Sequence, residues 1–298
     1  MSKICCIFHN CDLDGWMSAA IVRKSIEPND ELIEIGYNYG QEIPDLSEFD
    51  EIIMVDISFP AGIMESYAEK LVWIDHHISA IKANNYFLIK DGYTSHCDDK
   101  MAACELAWEY FFPNEQIPEI VRLLGRYDCF GHKGTSEEKQ VLEFQYGARG
   151  VLKNVDDCFG VLTMSSGEQF EMKDSIYFEG VGIYKFLCTE AKQSYKNGFE
   201  VIFNEPTFDV NNVGKAIEKR KFICINKERF NPINFGIDYH ADGYDGAACF
   251  HYANGKWNFS LYNDNGLVDC SVICKQYGGG GHMGAAGFTT TDISQFTK

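Results

Sequence analysis

Short apolar runs in the first third of the chain end at residues whose side chains can hold a metal ion. Ile4–Phe8, Ile52–Val55 and Leu71–Ile74 are continuous apolar runs of four or five residues. Runs of this length are typical of buried strands. The ligand-type residues that follow them are His9, Asp12, Asp14, Asp56, Asp75, His76 and His77. Three predicted strands therefore end in possible metal ligands.

The segments between these strands are long enough for crossover helices. Trp16–Lys24, after Gly15, predicts the first helix, and Glu31–Ile35 predicts a further strand. Strands joined in this way run parallel, and their carboxyl ends meet at one edge of a sheet, where open α/β folds build their sites. A solvated loop would explain any single cluster. Three clusters together predict a metal site at this edge.

The pattern continues with a predicted strand over Tyr86–Ile89 and a helix over Met101–Phe112. A further helix is indicated by apolar residues at positions i, i+3, i+4 and i+7. These residues are Ile117, Ile120, Val121 and Leu124. That helix leads into Asp128, which is a fourth acidic candidate.

The second half of the chain has a different pattern of predicted elements. Gly167–Asn197 lacks strong breakers and predicts a long helix, with Gly198 well placed to stop it. Short strands at turn-like spacing follow at Phe222–Ile225, Phe235–Ile237, Ala247–Phe250 and Trp257–Leu261. We therefore expect an α/β metal-binding domain over residues 1–166, a helical connector over 167–199, and a smaller α/β domain over 200–298.

Length and hydropathy agree with two domains in the cytoplasm. The chain has 298 residues and 45% hydrophobic content, which is enough for two cores. No apolar stretch approaches the ~20 residues that a membrane span needs. The start of the chain, Met1-Ser2-Lys3, lacks the layout of a signal peptide. We expect no membrane partner and a cytoplasmic location.

The net charge of −18 excludes one class of nucleic-acid binding. A protein that grips long duplex DNA by counterion release needs a basic face, which this chain does not offer. Short anions remain possible substrates, because a pair of divalent cations would reverse the sign of the local field.

The twelve cysteines are scattered, without a Cys-x-x-Cys pair, and are expected to be reduced and mostly buried. Cys11 lies inside the first ligand loop. The other candidate ligands are carboxylates and imidazoles, which suit manganese or magnesium better than structural zinc.

A glycine run, Gly278–Gly281, precedes His282 near the end of the chain. Such a run can form a flexible surface turn. It can also let backbone N–H groups converge on an anion, with the histidine as a further donor. No Gly-Lys-Ser/Thr sequence follows, so it is not a Walker loop.

Together these motifs resemble the DHH phosphoesterase superfamily with its DHH-associated C-terminal domain, in family order and over nearly the whole chain. The motifs are His9-x-x-Asp12-x-Asp14-Gly15, Asp56, Asp75-His76-His77, Asp128 and Gly278–Gly281 with His282. The length is similar to the compact branch of oligoribonucleases (nanoRNases) and 3'-phosphoadenosine 5'-phosphate phosphatases. The resemblance implies an α/β fold with a mostly parallel N-terminal sheet, a helical connector, a smaller C-terminal α/β domain, and an active site in the cleft between the domains.

The resemblance also implies a centre of two manganese ions, with magnesium as a possible substitute. One ion would be held by His9, Asp12 and Asp56, and the other by Asp14, Asp56, His76 and Asp128. His77 would face the substrate phosphate, and Asp75 would orient the loop or a ligand histidine. The glycine run and His282 would hold the far end of the substrate.

One segment departs from the family pattern. Relatives commonly carry Ser-Leu-Arg-Ser before the glycine run, where this chain has Ser260-Leu261-Tyr262-Asn263. Tyr262 can stack on a base or donate one hydrogen bond, but it cannot make the charge-assisted fork of an arginine. The departure bears on the identity of the substrate.

Three functions are consistent with the resemblance. The first is a phosphodiesterase that cleaves short oligonucleotides or dinucleotides. The second is a phosphatase or phosphoanhydride hydrolase acting on 3'-phosphoadenosine 5'-phosphate or polyphosphate. The third is a non-catalytic nucleotide-binding module, which the complete ligand sets disfavour. The sequence assigns no oligomeric state.

Overall fold

The computed structural model describes residues 1–90, 92–209, 214–228 and 230–296. These residues form two compact units, Met1–Tyr184 and Lys185–Lys298. In the part of the chain that the structure describes, no helix is both long and apolar enough to cross a membrane.

The first unit is built on a parallel sheet of five strands. The strands are β1 (Lys3–His9), β2 (Glu31–Tyr37), β3 (Glu51–Val55), β4 (Leu71–Asp75) and β5 (Thr94–Cys97). Their order across the sheet is β2-β1-β3-β4-β5, and every neighbouring pair is parallel. The predicted parallel arrangement of the first four strands is therefore confirmed, and their carboxyl ends share one edge.

Helices cover both faces of this sheet. They are α1 (Leu13–Ser25), α2 (Ala61–Ser66), α3 (Ile78–Ala83), α4 (Tyr86–Ile89), α5 (Ala103–Phe111), α6 (Glu119–Asp128), α7 (Glu138–Val151), α8 (Val155–Leu162) and the first part of α9 (Ser166–Lys196), with a 3-10 turn at Ala68–Lys70. Alternate strand residues enter opposite cores. Cys6 and Ile74 pack on one side, and Ile7 and Trp73 pack on the other. Burial on both faces explains why these strands are continuous apolar runs.

The strand predicted at Tyr86–Ile89 is wrong, because this segment forms α4. A four-residue apolar run cannot be assigned to strand or helix by periodicity alone. Phe87 is buried beside Trp73, with ring centroids 6.0 Å apart, whereas Ile89 is 80% exposed. One turn of helix buries one side of the run. The fifth strand of the sheet, β5, follows it in the chain.

The second unit contains the end of α9, a mixed sheet of six strands and a short α-helix. The strands are β6 (Phe199–Asp209), β7 (Gly214–Asn226), β8 (Gly246–Ala253), β9 (Lys256–Tyr262), β10 (Gly280–Gly281) and β11 (Ala285–Thr290), and the helix is α10 (Cys270–Lys275). The strand order is β10-β11-β9-β8-β7-β6. Only the pairing of β7 with β8 is parallel among these described pairs. The prediction of a second, sheet-rich α/β region is confirmed.

The short strand predicted at Phe235–Ile237 is also wrong. Pro232–Phe235 forms a 3-10 helix, whose first N–H groups are capped by the Asn231 side chain. Gly236 ends this helix with φ of 69°, a left-handed conformation that interrupts any strand. The local Asn-Pro start and glycine stop therefore override the apolar pattern.

The long helix α9 packs very closely on α7 at two glycines. A Cβ atom at Gly147 would overlap the carbonyl oxygen of Ile176, and one at Gly180 would overlap the carbonyl oxygen of Glu143. The backbones of the two helices can approach this closely only because both residues lack side chains. Another glycine of α9, Gly182, faces open space.

We predict that Gly180→Ala lowers the free energy of unfolding by about 1–3 kcal/mol or more, because overpacking forces α7 and α9 apart. Gly182→Ala, two residues away in α9, is the matched control. It should leave stability unchanged or raise it by up to ~1 kcal/mol, since alanine favours the helix. Urea unfolding measures both variants, and equal stability of the two would contradict the close packing.

Candidate metal centre

The first ligand loop joins β1 to α1. His9 is the last residue of β1, and Asp12 is the N-cap of α1, where its Oδ1 accepts a hydrogen bond of 3.0 Å from the N–H of Gly15. A Cβ atom at Gly15 would overlap the carbonyl oxygen of His9. Glycine is therefore required for α1 to begin directly beside the strand end, and this brings His9 and Asp12 together.

Asp14 lies in the first turn of α1 and is anchored from another helix. Its two carboxylate oxygens accept hydrogen bonds from the N–H groups of Cys104 at 2.8 Å and Ala103 at 3.0 Å. These residues begin α5, so the carboxylate lies at the positive end of a helix dipole. The Asp14 side chain is fully buried and held in one orientation.

Asp56 follows β3 directly and occupies the middle of the site. Its N–H donates to the carbonyl of Ile74, and its φ of 58° is left-handed, which is unusual for a residue with a side chain. The carboxylate is 2% exposed. Its Oδ2 lies 3.4 Å from Nδ1 of His9, and its Oδ1 lies 3.3 Å from Nε2 of His76. One carboxylate thus faces two histidines from two different strand ends.

Carboxylates surround Nε2 of His76 and form one cluster of donor atoms. Oxygens of Asp14, Asp56 and Asp128 lie 3.5, 3.3 and 3.2 Å from this nitrogen. Asp128 is the last residue of α6, as the helical spacing before it predicts. The structure therefore brings together Asp14, Asp56, His76 and Asp128.

His9 is the centre of a second cluster. Its Nδ1 lies 3.3 Å from Oδ2 of Asp12 and 3.4 Å from Oδ2 of Asp56. Cys11, whose residue is exposed, places its Sγ 3.4 Å from the same Asp12 oxygen. The two clusters are joined through Asp56.

Asp75 organises the loop that carries the two neighbouring histidines. Its Oδ1 accepts from the N–H groups of His76 and His77, and it lies 2.7 Å from Nδ1 of His77. His77 Nδ1 lies 3.7 Å from Oδ1 of Asp56, farther than the His76 contact. Asp75 therefore has the geometry of a residue that orients the loop, and His77 lies close enough to Asp56 and His76 to form a further possible ligand group with them.

The pKa values of the clustered carboxyl and imidazole groups are shifted in the direction that indicates a need for compensating positive charge. Burial raises the pKa of Asp14 well above its usual range, and the neighbouring Asp56 and Asp128 raise it further. Burial also raises the pKa of Asp56. For His76, burial alone would lower the pKa, but the carboxylates of Asp128 and Asp56 outweigh it and raise the pKa to about 12. The buried carboxylates of Asp14 and Asp56 therefore require compensating positive charge to ionise.

The donor atoms fit divalent cations. Oδ1 of Asp56 and Nε2 of His76 are buried and have no hydrogen-bond partner among the described residues. Donors bound at about 2.1 Å to one octahedral ion lie roughly 3 Å apart, close to the separations seen around each histidine. Carboxylate oxygens with imidazole nitrogens suit manganese or magnesium. The two clusters could therefore hold one cation each, with Asp56 touching both.

The candidate residues of the second unit lie at one end of its sheet. Tyr262, the last residue of β9, pairs with Ala285 of β11, and the N–H of His282 donates to the carbonyl of Ala285. Side chains at Gly279 or Gly281 would collide with β11. Close packing thus explains part of the glycine run, while its reading as an anion cradle stays a prediction.

Comparison with known proteins finds a family match for the first part of the chain. Residues 3–125 match the DHH family, N-terminal domain. The chain is 22% identical to the uncharacterized protein R106 of Acanthamoeba polyphaga mimivirus, over 96% of this chain and 67% of that protein.

Two solved structures are similar over almost the whole chain. An exopolyphosphatase-related protein of Bacteroides fragilis matches with a TM-score of 0.52 and 12% identity, over 98% of this chain and 87% of that one. It shares the fold. RecJ of Thermus thermophilus, crystallised with Mn²⁺, matches with a TM-score of 0.47 and 13% identity, over 99% of this chain and 50% of that one.

The family match spans the complete parallel sheet and every clustered ligand-type residue except Asp128. Residues 3–125 therefore form a domain of the DHH family, a family of metal-dependent phosphoesterases, and this domain spans less than half of the chain.

Proposed function

We propose that this protein is a phosphodiesterase that uses two divalent cations, preferably manganese, to cleave short oligonucleotides or dinucleotides. The observation that carries the proposal is the buried Asp56 carboxylate, which faces His9 on one side and His76 on the other. A shared carboxylate between two donor clusters is the arrangement that a pair of metal ions needs. The match of residues 3–125 to the DHH family domain supports the reaction class.

In this proposal the clustered carboxylates, with His9 and His76, hold the two cations. His9, Asp12 and Asp56 hold one cation, and Asp14, Asp56, His76 and Asp128 hold the other. Magnesium is a possible substitute for manganese, since most donors are oxygens. When bound, such a pair neutralises phosphate oxygens and lowers the pKa of the attacking water. The α5 N-terminus keeps Asp14 in its ligating orientation through two backbone hydrogen bonds.

His77 contacts the substrate phosphate in this proposal. Its Nδ1 is engaged by Asp75, so only Nε2 can serve a phosphate oxygen. Burial alone would lower the pKa of His77, but Asp75 and Asp56 outweigh it and raise the pKa. A charged imidazolium is thereby favoured, and it donates a stronger hydrogen bond to a phosphate than a neutral ring does.

The second unit binds the distal end of the substrate in this proposal. Tyr262 stacks on a base, while His282 and Gly278–Gly281 contact the backbone or a terminal group. The net charge of −18 opposes long nucleic acids, which supports a short substrate. Tyr262 stands where relatives carry an arginine, and this favours a base over an additional phosphate at that position.

A panel of substrates tests the proposal. With manganese present, dinucleotides should be hydrolysed faster than long oligonucleotides, cyclic dinucleotides, 3'-phosphoadenosine 5'-phosphate or polyphosphate. Release of mononucleotides or phosphate measures each rate. Preferential turnover of 3'-phosphoadenosine 5'-phosphate or polyphosphate would instead establish the phosphatase or phosphoanhydride hydrolase alternative.

We predict that exhaustive chelation abolishes hydrolysis and that manganese restores it better than magnesium. The reason is that the clustered carboxylates and imidazoles have no other means of offsetting the charge of a phosphate. Dinucleotide turnover before chelation, after chelation and after addition of each metal measures the effect. Full activity in the chelated protein would contradict the proposed centre.

Asp56→Asn should remove both ions and lower kcat by more than the roughly 10–100-fold that loss of an outer partner costs. Asparagine tolerates the left-handed backbone at this position, so the fold should persist. Metal analysis and circular dichroism accompany the kinetics. His77→Ala is the contrasting variant, which should keep both metals and lose most of its rate. Loss of metal from His77→Ala would assign this residue to the ligands.

Tyr262→Ala should weaken dinucleotide binding by roughly ten- to hundred-fold, because a lost stacking contact is worth about 1–3 kcal/mol. His282→Ala should act in the same direction. A minimal chromogenic phosphoester should be hydrolysed normally by both variants, since it lacks a distal end. The matched control is Tyr252→Ala, because Tyr252 is 60% exposed at the opposite end of the β8–β9 pair. Equal losses on both substrates would point to misfolding or to an effect on the metal centre, and unchanged kinetics on dinucleotides would remove the second unit from substrate recognition.

A further inference from the structure

One face of the long helix α9 is exposed and carries two phenylalanines. Phe178 is 71% exposed and Phe186 is 64% exposed. Gly182 lies midway between them in the helix, and a Cβ atom at this glycine would meet no other atom within 4 Å. Exposed apolar side chains that share one helix face indicate an interaction surface, whereas isolated ones do not.

This face is turned away from α7, the helix on which α9 packs. Successive residues of a helix are rotated by about 100°, so Gly182 lies almost opposite Gly180. Gly180 is the glycine that closely approaches the α7 backbone. Phe178 and Phe186 lie about 40° from Gly182 in opposite senses around the helix. The two rings therefore flank the glycine on the side of α9 that is not covered by α7.

The charged residues of this face have opposite signs on the two sides of Gly182. Glu179 lies three residues before the glycine and Lys185 three residues after it, and both are exposed. Glu168 and Lys196 are also exposed, fourteen residues before and after it. Glu179 and Lys185 form no salt bridge within the part of the chain that the structure describes. The first half of the face thus offers negative charge and the second half offers positive charge.

This arrangement makes the face complementary to itself. When two copies of α9 cross antiparallel at Gly182, a two-fold axis places each residue before the glycine against the equivalent residue after it in the other copy. Phe178 then packs on Phe186 of the partner copy, and Glu179 lies beside Lys185 of the partner copy. The absence of a side chain at the crossing point lets the helices approach closely. A parallel pair would instead place like charges together.

We propose that this face of α9 is the contact surface of a homodimer, occupied by a second copy of this chain in antiparallel orientation. The four phenylalanine rings would bury roughly 400–700 Å² of apolar surface. A stable interface needs about 1,000 Å² or more, so the dimer is expected to be weak and reversible, with a Kd on the order of micromolar. The inference goes beyond the proposed function, because it depends on neither a metal ion nor a substrate.

Sedimentation equilibrium over a series of protein concentrations tests the proposal. The mass of the wild-type protein should rise from one chain toward two. Phe178→Ser and Phe186→Ser should each raise the Kd by at least roughly tenfold, because a two-fold axis removes each ring twice. Phe170→Ser is the matched control, since Phe170 is 59% exposed on the same helix but lies about 120° around from Gly182. Circular dichroism verifies that each variant is folded.

Exchange of charges tests the antiparallel register. Glu179→Lys alone and Lys185→Glu alone should each weaken the dimer, because each places like charges together. The double variant should restore it. A mixture of the two single variants should form heterodimers in preference to either homodimer, and native mass spectrometry measures their proportions.

A protein that stays monomeric throughout the concentration series would overturn the proposal. A dimer that Phe178→Ser and Phe186→Ser weaken no more than Phe170→Ser does would also overturn it, because the contact would then lie elsewhere. A mixture without excess heterodimer would overturn the antiparallel register. None of these measurements uses hydrolysis, so each of these failures leaves the proposed function standing.

Discussion

The structure of the first unit depends on keeping several carboxylates together in a nearly dry interior. Asp14 and Asp56 are almost completely buried, and both face Nε2 of His76. Two like charges 4 Å apart repel by about 4 kcal/mol at an effective dielectric of 20. Burial raises the pKa of both carboxyl groups, so charge compensation is required for them to ionise. Bound cations would supply this compensation.

The surrounding fold supplies the rigidity that this cluster needs. Parallel strands covered on both faces deliver β1, β3 and β4 to one edge, and strong packing fixes their ends. Contacts distant in sequence then fix individual side chains. The α5 N-terminus holds Asp14, Asp75 holds the loop of His76 and His77, and Gly15 lets α1 start against His9. Each ligand-type side chain is thus positioned by a backbone element and not by its neighbours in the cluster alone.

The candidate metal centre and the proposed substrate-binding end of the second unit differ in the side chains that they offer. At the candidate metal centre, the two donor clusters differ in burial, since the Asp12 side chain beside His9 is 38% exposed and the Asp14 side chain beside His76 is 1% exposed. At the sheet end of the second unit, Tyr262 and His282 are close through the pairing of β9 with β11 and the turn before β11. Tyr262 can stack on a base there but cannot make the charge-assisted fork of an arginine. In the proposed function, a single residue such as Tyr262 would therefore set the selectivity for substrate, while the fold stays the same.

The sequence alone predicted four of the five strands of the parallel sheet and placed candidate ligands at one edge, because buried strands are continuous apolar runs and His9, Asp56 and Asp75 stand directly after them. It did not determine Tyr86–Ile89, where a four-residue run carries no period and only packing against Trp73 selected a helix. Nor did it reveal the hydrogen bonds from α5 to Asp14, which join residues about 90 positions apart. The nearness of Cys11 to Asp12 and His9 likewise required three dimensions, because the direction of a loop side chain follows from backbone geometry that residue order does not encode.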